Sequence, residues 1–235
     1  MPHLNTTHQE ADFAVPLHVL DCIKAGYLKI LVLSNDTDID VILLYLIPVF
    51  LLHGMKELWI QAGVGHSARY VPLHILHTRM GMELCEVLPA LYTLTGCDST
   101  SKIGTKKAAL ESDPTVLLKD FGKDPELSVS TLQQAEKFLV KVLKKSSKST
   151  NFTDLRKEIY RTSSSRTHTD LPPTSDGLLP HIKRAHFGTY MITHLLTTGS
   201  FAVDISPLDN GYELTDGSLT PAKSWKLLEP KRLDS

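Results

Sequence analysis

Cysteine is scarce in this 235-residue chain: Cys22, Cys85 and Cys97 stand far apart, with no Cys-x-x-Cys pair. That excludes a disulfide framework and a cysteine-based zinc site, and the odd count in apolar or small-residue contexts reads as buried thiols in a reducing compartment. Long apolar runs are also missing. The longest, residues 41–52, contains Pro48 and falls well short of the roughly 20 residues that span a bilayer, so it reads as core and no membrane partner is expected. Neither sign of charge dominates. A formal net charge of -1 gives no global attraction to nucleic acid, so phosphate binding would have to come from local clusters of Lys and Arg. The opening residues, MPHLNTTHQE, lack the charged and apolar regions of a signal peptide, which predicts an intracellular protein, nuclear or cytoplasmic. There is no Gly-x-Ser-x-Gly, P-loop or Gly-x-Gly-x-x-Gly motif, and Gly63-Val64-Gly65 lacks the third glycine. No hydrolase elbow or nucleotide fold is supported, and no small-molecule cofactor is expected. Trp59 and Trp225 are too isolated to form a stacking platform for bases.

What is present suits a globular protein with one main domain and a tail: 42% hydrophobic and 22% charged residues. Helical spacing runs from Glu10 to Ala25 and is ended by Gly26, with Pro16 expected near the first turn. Residues 27–33 (YLKILVL) read as a strand buried on both faces, whose carboxyl end delivers Asp36 and Asp38. A buried helix over 41–53, a strand over 57–61, a glycine turn at 63–65 and a short strand over 69–71 follow. Helices are expected over 73–80 and 83–94, from Ala108, and over 127–143 with lysines 137, 141, 144, 145 and 148 on one face. The Ser/Thr-rich stretches 144–153 and 162–170 predict flexible connections around a short helix at 155–160. A helix over 176–197 and a hairpin turning at Asp216-Gly217 complete the chain. Alternating helices and strands predict an α/β fold with a mainly parallel sheet, and ligands of such sheets bind beyond the carboxyl ends of the strands.

Asp36 and Asp38 lie at such an end. Neighbouring carboxylates repel one another unless a cation neutralises them, and hard oxygen donors suit Mg²⁺ or Mn²⁺. Two such ions about 4 Å apart activate a water and stabilise the leaving oxygen in phosphodiester hydrolysis. The competing reading is plain: Asp-x-Asp is also an ordinary turn-capping pattern. The histidine pairs His74/His77 and His181/His186 lack the partners of a zinc site and read as surface or core residues.

Three acidic motifs occur in order: Glu10-Ala11-Asp12 at a helix start, Asp36-Thr37-Asp38 after a strand, and Leu94-Thr95-Gly96-Cys97-Asp98 before Lys102-Ile103-Gly104-Thr105-Lys106-Lys107. This order resembles the later half of the flap-endonuclease group in the PIN-like nuclease superfamily. A further resemblance is to metazoan proteins associated with mobile elements. It rests on those motifs, on Leu58-Trp59-Ile60, Tyr70-Val71-Pro72 and Leu94–Ser101, and on a tail with Leu171-Pro172-Pro173, His181 to His186 and Gly211 to Leu214. It covers most of residues 8–220. The resemblance implies a three-layer αβα domain over 8–150, truncated at its N-terminus, a linker over 151–170, and a helix and hairpin tail over 171–235. It implies Glu10, Asp12, Asp36, Asp38 and Asp98 as metal ligands, with Asp36, Asp38 and Asp98 catalytic, and Lys102, Gly104, Lys106 and Lys107 as contacts to branched or single-stranded nucleic acid. Asp40 has no counterpart and is expected to cap the following helix.

The chain departs from the pattern in three ways. The family's earliest aspartates come from a strand that this chain starts after, Asp12 is one methylene shorter than the usual glutamate, and only Ile103-Gly104 remains of a Gly-Ile-Gly turn. Two functions are therefore expected to compete: a structure-selective nuclease with a two-metal Mg or Mn site, or a catalytically dead binding module for nucleic acid or protein.

Overall fold

The computed structural model describes residues 11–162, 171–196 and 205–222. Glu10, the stretch 163–170 and Trp225 lie outside the described residues, as does the side chain of Asp12.

The first unit is a helix-covered sheet. It comprises α1 (Ala11–Lys24), β1 (Lys29–Leu33), α2 (Thr37–Leu52), β2 (Glu57–Ala62), β3 (Arg69–Pro72) and α3 (Leu73–Met80). Pro16 lies inside α1, beyond its first turn. Helix α2 is apolar almost all round, so it is buried rather than amphipathic; Leu43, Ile47 and Phe50 are fully enclosed. It forms the crossover between β1 and β2, which pair in parallel, as a helical connection requires. Only residues 63–68 separate β2 from β3. That is too short for a crossover, so β3 returns antiparallel. The sheet is therefore mixed, in the order β1-β2-β3, and not mainly parallel. Gly63 permits the return: its φ is +81°, and a Cβ there would lie 2.7 Å from Ser67 O. Where β3 ends, the His74 ring takes the next rung, with Nδ1 lying 3.1 Å from Leu58 O.

Expectation and structure also differ on how the sheet is covered. Ile30, Val32, Leu58, Ile60 and Val71 pack into a cluster with α1, α2, α3 and Leu88 and Tyr92 of α4. The alternate residues face the other way, leaving Leu31 47%, Leu33 71% and Tyr70 57% exposed. Strand β1 is thus covered on one face, not two, because every described helix in that cluster lies on the same side.

The second unit is helical: α4 (Met82–Thr95), the short α5 (Lys106–Leu110) and α6 (Pro114–Leu117), then α7 (Val129–Leu143), α8 (Phe152–Thr162) and α9 (Ser175–Thr193). Ser128 caps α7 by accepting from Thr131 N–H. Its apolar face, Ala135, Phe138, Leu139 and Val142, joins Leu91 and Leu94 of α4 and Leu178, Ile182 and Ala185 of α9 in one core. Helices α4 and α9 also send Leu88 and Ile192 into the sheet cluster, welding the two units together. The short helix expected at 155–160 is α8, which runs from Phe152 to Thr162 and so takes up the end of one stretch expected to be flexible. Phe152 and Leu155 are fully buried, and Phe152 N–H donates to Glu136 Oε1 at 2.7 Å. The preceding turn is held too. Glu158 accepts from Ser147 and Ser149 Oγ and pairs with Lys144 at 2.9 Å. The final hairpin, β4 (Tyr212–Thr215) and β5 (Ser218–Pro221), turns at Asp216-Gly217 as its sequence predicts. Cys85 is buried, but Cys22 is exposed, which corrects the expectation of three buried thiols. No helix among the described residues is long and apolar enough to cross a membrane.

Candidate metal and nucleic-acid site

Beyond Leu33 the β1 backbone continues one rung, with Ser34 N–H bonding Gln61 O. Asn35 Oδ1 then ties the ends of β1 and β2 together by accepting from Gly63 N–H at 2.6 Å. Asp36 is extended, with φ −93° and ψ 124°, and caps α2: its Oδ1 accepts from Asp38 N–H at 2.9 Å. The cap is thus Asp36 and not Asp40, because the helix starts at Thr37, four residues before the apolar run that announces it. Asp38 and Asp40 occupy the first turn of α2, where the helix dipole favours negative charge.

Helix α4 brings the second half of the site. Tyr92 donates its hydroxyl to Asp38 Oδ1 at 2.6 Å. After Thr95 the chain doubles back sharply. Gly96 has φ +115°, and a Cβ there would sit 2.7 Å from Lys102 Cα, so only glycine serves. Thr100 Oγ1 donates to Thr93 O at 2.6 Å, which holds the turn carrying exposed Asp98. Asp98 and Asp38 come close enough to interact: burial raises the Asp38 pKa above the ordinary carboxylate value, and the charges of Asp36 and Asp98 raise it further, against the Tyr92 hydrogen bond and Lys106. Burial and Asp36 raise Asp40 in the same way. The structure therefore brings Asp36, Asp38 and Asp98 into one electrostatic unit at the carboxyl end of β1.

The lysines divide. Lys106 opens α5 but reaches back to the end of α4, where Nζ donates to Tyr92 O (2.9 Å), Thr95 Oγ1 (2.8 Å) and Gly96 O (2.8 Å). It also stands 4.0 Å from the centre of the Tyr92 ring. This is a lysine spent on the carbonyl end of a helix. Desolvation of its ammonium lowers the pKa to about 8 although nearby Cys97 and Asp38 oppose the shift. Lys102 and Lys107 are exposed and have no hydrogen bond or ion pair among the described residues, so they remain available to an anion. Gly104 is required between them: its φ is +66°, and a Cβ would meet Val142 Cγ1 at 2.5 Å. On the expected lysine face, Lys141 pairs with Asp113 (2.8 Å), Lys144 with Glu158 and Lys145 with Glu111 (3.7 Å), leaving little free charge for a phosphate track. His77, His181 and His186 are buried as core residues.

No protein-family model, curated protein or solved structure matches the chain.

The site must then be judged on its own donors. Asp36 spends one carboxylate oxygen on the helix cap and Asp38 spends one on Tyr92, so each retains a second oxygen. Among the described residues no three His, Cys, Asp or Glu side chains stand close enough to hold a metal ion. The donors present are of the right hardness for Mg²⁺ or Mn²⁺ but form a partial shell. Tyr92 and the inward turn of Lys106 are the site residues that spacing does not announce, since Tyr92 acts through Asp38 on α2 and Lys106 acts through a fold-back over the end of α4.

Proposed function

We propose that the chain carries the later part of a PIN-like, metal-dependent nuclease domain that acts on branched or single-stranded nucleic acid. The observation that carries this reading is the position of Asp36 and Asp38 just past the carboxyl end of β1, where ligands of α/β sheets bind, with Asp98 close enough to add to the repulsion on Asp38. A divalent cation relieves such repulsion. Asp36, Asp38 and Asp98 would hold Mg²⁺ or Mn²⁺ together with groups outside the described residues, Glu10 and Asp12 among them. Bound there, the metal would supply a water of lowered pKa and charge stabilisation of the leaving oxygen. Lys102 and Lys107 flank Gly104 and bind the phosphate backbone, which positions the strand without reading its sequence. In this reading the bare face of the sheet and the free edge of β1 accept the remaining layer and strand of a three-layer αβα domain, and the protein works inside the cell.

The test is cleavage of a flap or branched DNA by the purified protein with Mn²⁺. Asp36→Ala and Asp98→Ala each abolish cutting and weaken Mn²⁺ binding measured by calorimetry; absence of both cleavage and metal binding rejects the reading.

One observation favours a second reading. The Lys106 ammonium already partly offsets the charge of Asp38, as a built-in counter-ion would, and a domain so neutralised serves as a binding module derived from a mobile element rather than as a catalyst. That reading predicts salt-sensitive binding of single-stranded or branched DNA without cleavage, weakened by Lys102→Glu and Lys107→Glu.

A further inference from the structure

Apart from the acidic cluster, the 101–104 loop, the end of α7, α8, the 171–173 turn and α9 surround a cavity of about 470 Å³, within the roughly 300–1,000 Å³ of small-molecule sites. Its wall is largely apolar, with Leu143, Phe152, Ile159, Leu171 and Leu178. Two polar residues of α9, His181 and Arg184, complete it and are only 5% and 7% exposed. Among the described residues each leaves one buried nitrogen without a partner: Nδ1 of His181 and Nε of Arg184. Buried polar atoms in folded proteins are nearly always bonded, so two such atoms on residues of one cavity wall call for an explanation.

The bonds these residues do make define what the remaining atoms need. His181 Nε2 lies 2.9 Å from Leu94 O. A carbonyl only accepts, so Nε2 carries the proton and Nδ1 is an acceptor in search of a donor. Burial and the charge of Arg184 keep the ring neutral by lowering its pKa. Arg184 Nη1 donates to Gly211 O at 2.8 Å and Ala222 O at 3.2 Å, both uncharged oxygens. Among the described residues nothing bonds the Nε/Nη2 edge, which is a fork shaped for a carboxylate. A buried guanidinium without an anion is costly. The two residues are three apart on one helix, with Cβ atoms roughly 5–6 Å apart, so donor fork and acceptor share a face.

The geometry points to a ligand with a free carboxylate, an adjacent N–H and an apolar side chain: an N-acylated amino acid, or the carboxyl-terminal residue of a peptide, which presents the same groups. The carboxylate takes the Arg184 fork, the N–H donates to His181 Nδ1, and the side chain packs on Leu143, Ile159 and Leu178. Lys102, exposed on the loop that forms part of the wall, adds positive charge for an arriving anion. A phosphate monoester suits the cavity less well, because it brings up to two negative charges to a wall with one buried cation and has no N–H for Nδ1.

Calorimetric titration of the whole protein with N-acetyl-L-leucine tests this, with N-acetyl-L-leucinamide, hexanoate and phenyl phosphate as comparisons. Saturable binding of N-acetyl-L-leucine is expected, weaker by about tenfold or more for the amide and for hexanoate. Leu143→Trp fills the cavity from the end of α7 without altering any hydrogen bond of Arg184 or His181; it abolishes binding and leaves the melting temperature unchanged. Arg184→Gln also abolishes binding, but it loosens the β4/β5 hairpin as well, so Leu143→Trp decides. A pentapeptide ending in leucine separates the two sources: equal or tighter binding assigns the site to chain ends, and its exclusion assigns the site to the free N-acyl amino acid. No binding of N-acetyl-L-leucine at millimolar concentration, equal affinity for the amide, tighter binding of phenyl phosphate, or binding that survives Leu143→Trp each overturns the assignment.

Discussion

In the helical unit, apolar side chains from α4, α7, α8 and α9 close on one another from every side, whereas in the sheet unit they close on one face alone. Phe138 and Phe152 in the first are as fully buried as Phe50 and Leu58 in the second, so the units do not differ in how well their interiors exclude water. They differ in what lies at the boundary. The helical core ends in polar helix faces, while the sheet ends in Leu31, Leu33 and Tyr70 facing outward and in an edge strand with no neighbour on one side among the described residues. The difference teaches that stability and chemistry are supported from different places: Asp36 and Asp38 belong to the less complete unit, whereas Tyr92 and the α4 turn that carries Asp98 belong to the more complete one.

The strongest way to break this comparison is to ask whether the units unfold separately. Phe138→Ala removes a fully buried ring from the helical core and should cost about 3–5 kcal/mol, and Phe50→Ala should cost a similar amount from the sheet side. Because α4 and α9 enter both clusters, each variant is expected to shift one common urea transition. Two resolved transitions, with only one of them moved by each variant, would show that the weld fails.

A smaller effect sharpens the electrostatic part. The Asp38 pKa is raised in the folded protein, so its ionised form costs stability above the ordinary carboxylate range, and the cost disappears as pH falls and the folded state takes up a proton first. Asp38→Asn keeps an oxygen for the Tyr92 hydroxyl and removes the charge. It should raise the melting temperature at pH 7 by about 2 °C, with the gain vanishing near pH 4 or below. A destabilised variant at pH 7 would mean that the α2 dipole favours the carboxylate more than burial and the neighbouring charges disfavour it.

The least effect on stability is expected on the bare face. Leu33→Lys should change the unfolding free energy by no more than about 0.5 kcal/mol, since the side chain is 71% exposed. Light scattering should show reduced self-association, because charge on an edge strand disfavours edge-to-edge pairing. A large loss of stability would mean that Leu33 is packed in solution.

Much of this was legible in the sequence, for reasons that also explain what was not. The run Ile30 to Leu33 followed by polar residues marks β1 and sends Asp36 and Asp38 to its end, because strand and turn chemistry are local. An unbroken apolar run, however, predicts cover on both faces; without a polar alternate position, nothing in it signals that Leu31 and Leu33 face outward. The start of α2 was hidden because Thr37, Asp38 and Asp40 are polar, and their helicity follows from the Asp36 cap rather than from periodicity. Lys106 reads as a loop lysine beside Gly104. Its true partners are the carbonyls of Tyr92 and Gly96, 14 and 10 residues earlier, a fold-back that no propensity encodes.

The Thr93 and Thr189 hydroxyls meet at 2.8 Å across 96 residues of chain, where α4 packs on α9. During synthesis, α1 to α4 leave the ribosome well before α9 exists. The sheet and one side of α4 must therefore wait with apolar surface open to solvent until α9 has emerged. Closure of this contact is a late step, and such a waiting intermediate is a natural client for a chaperone that shields exposed apolar surface.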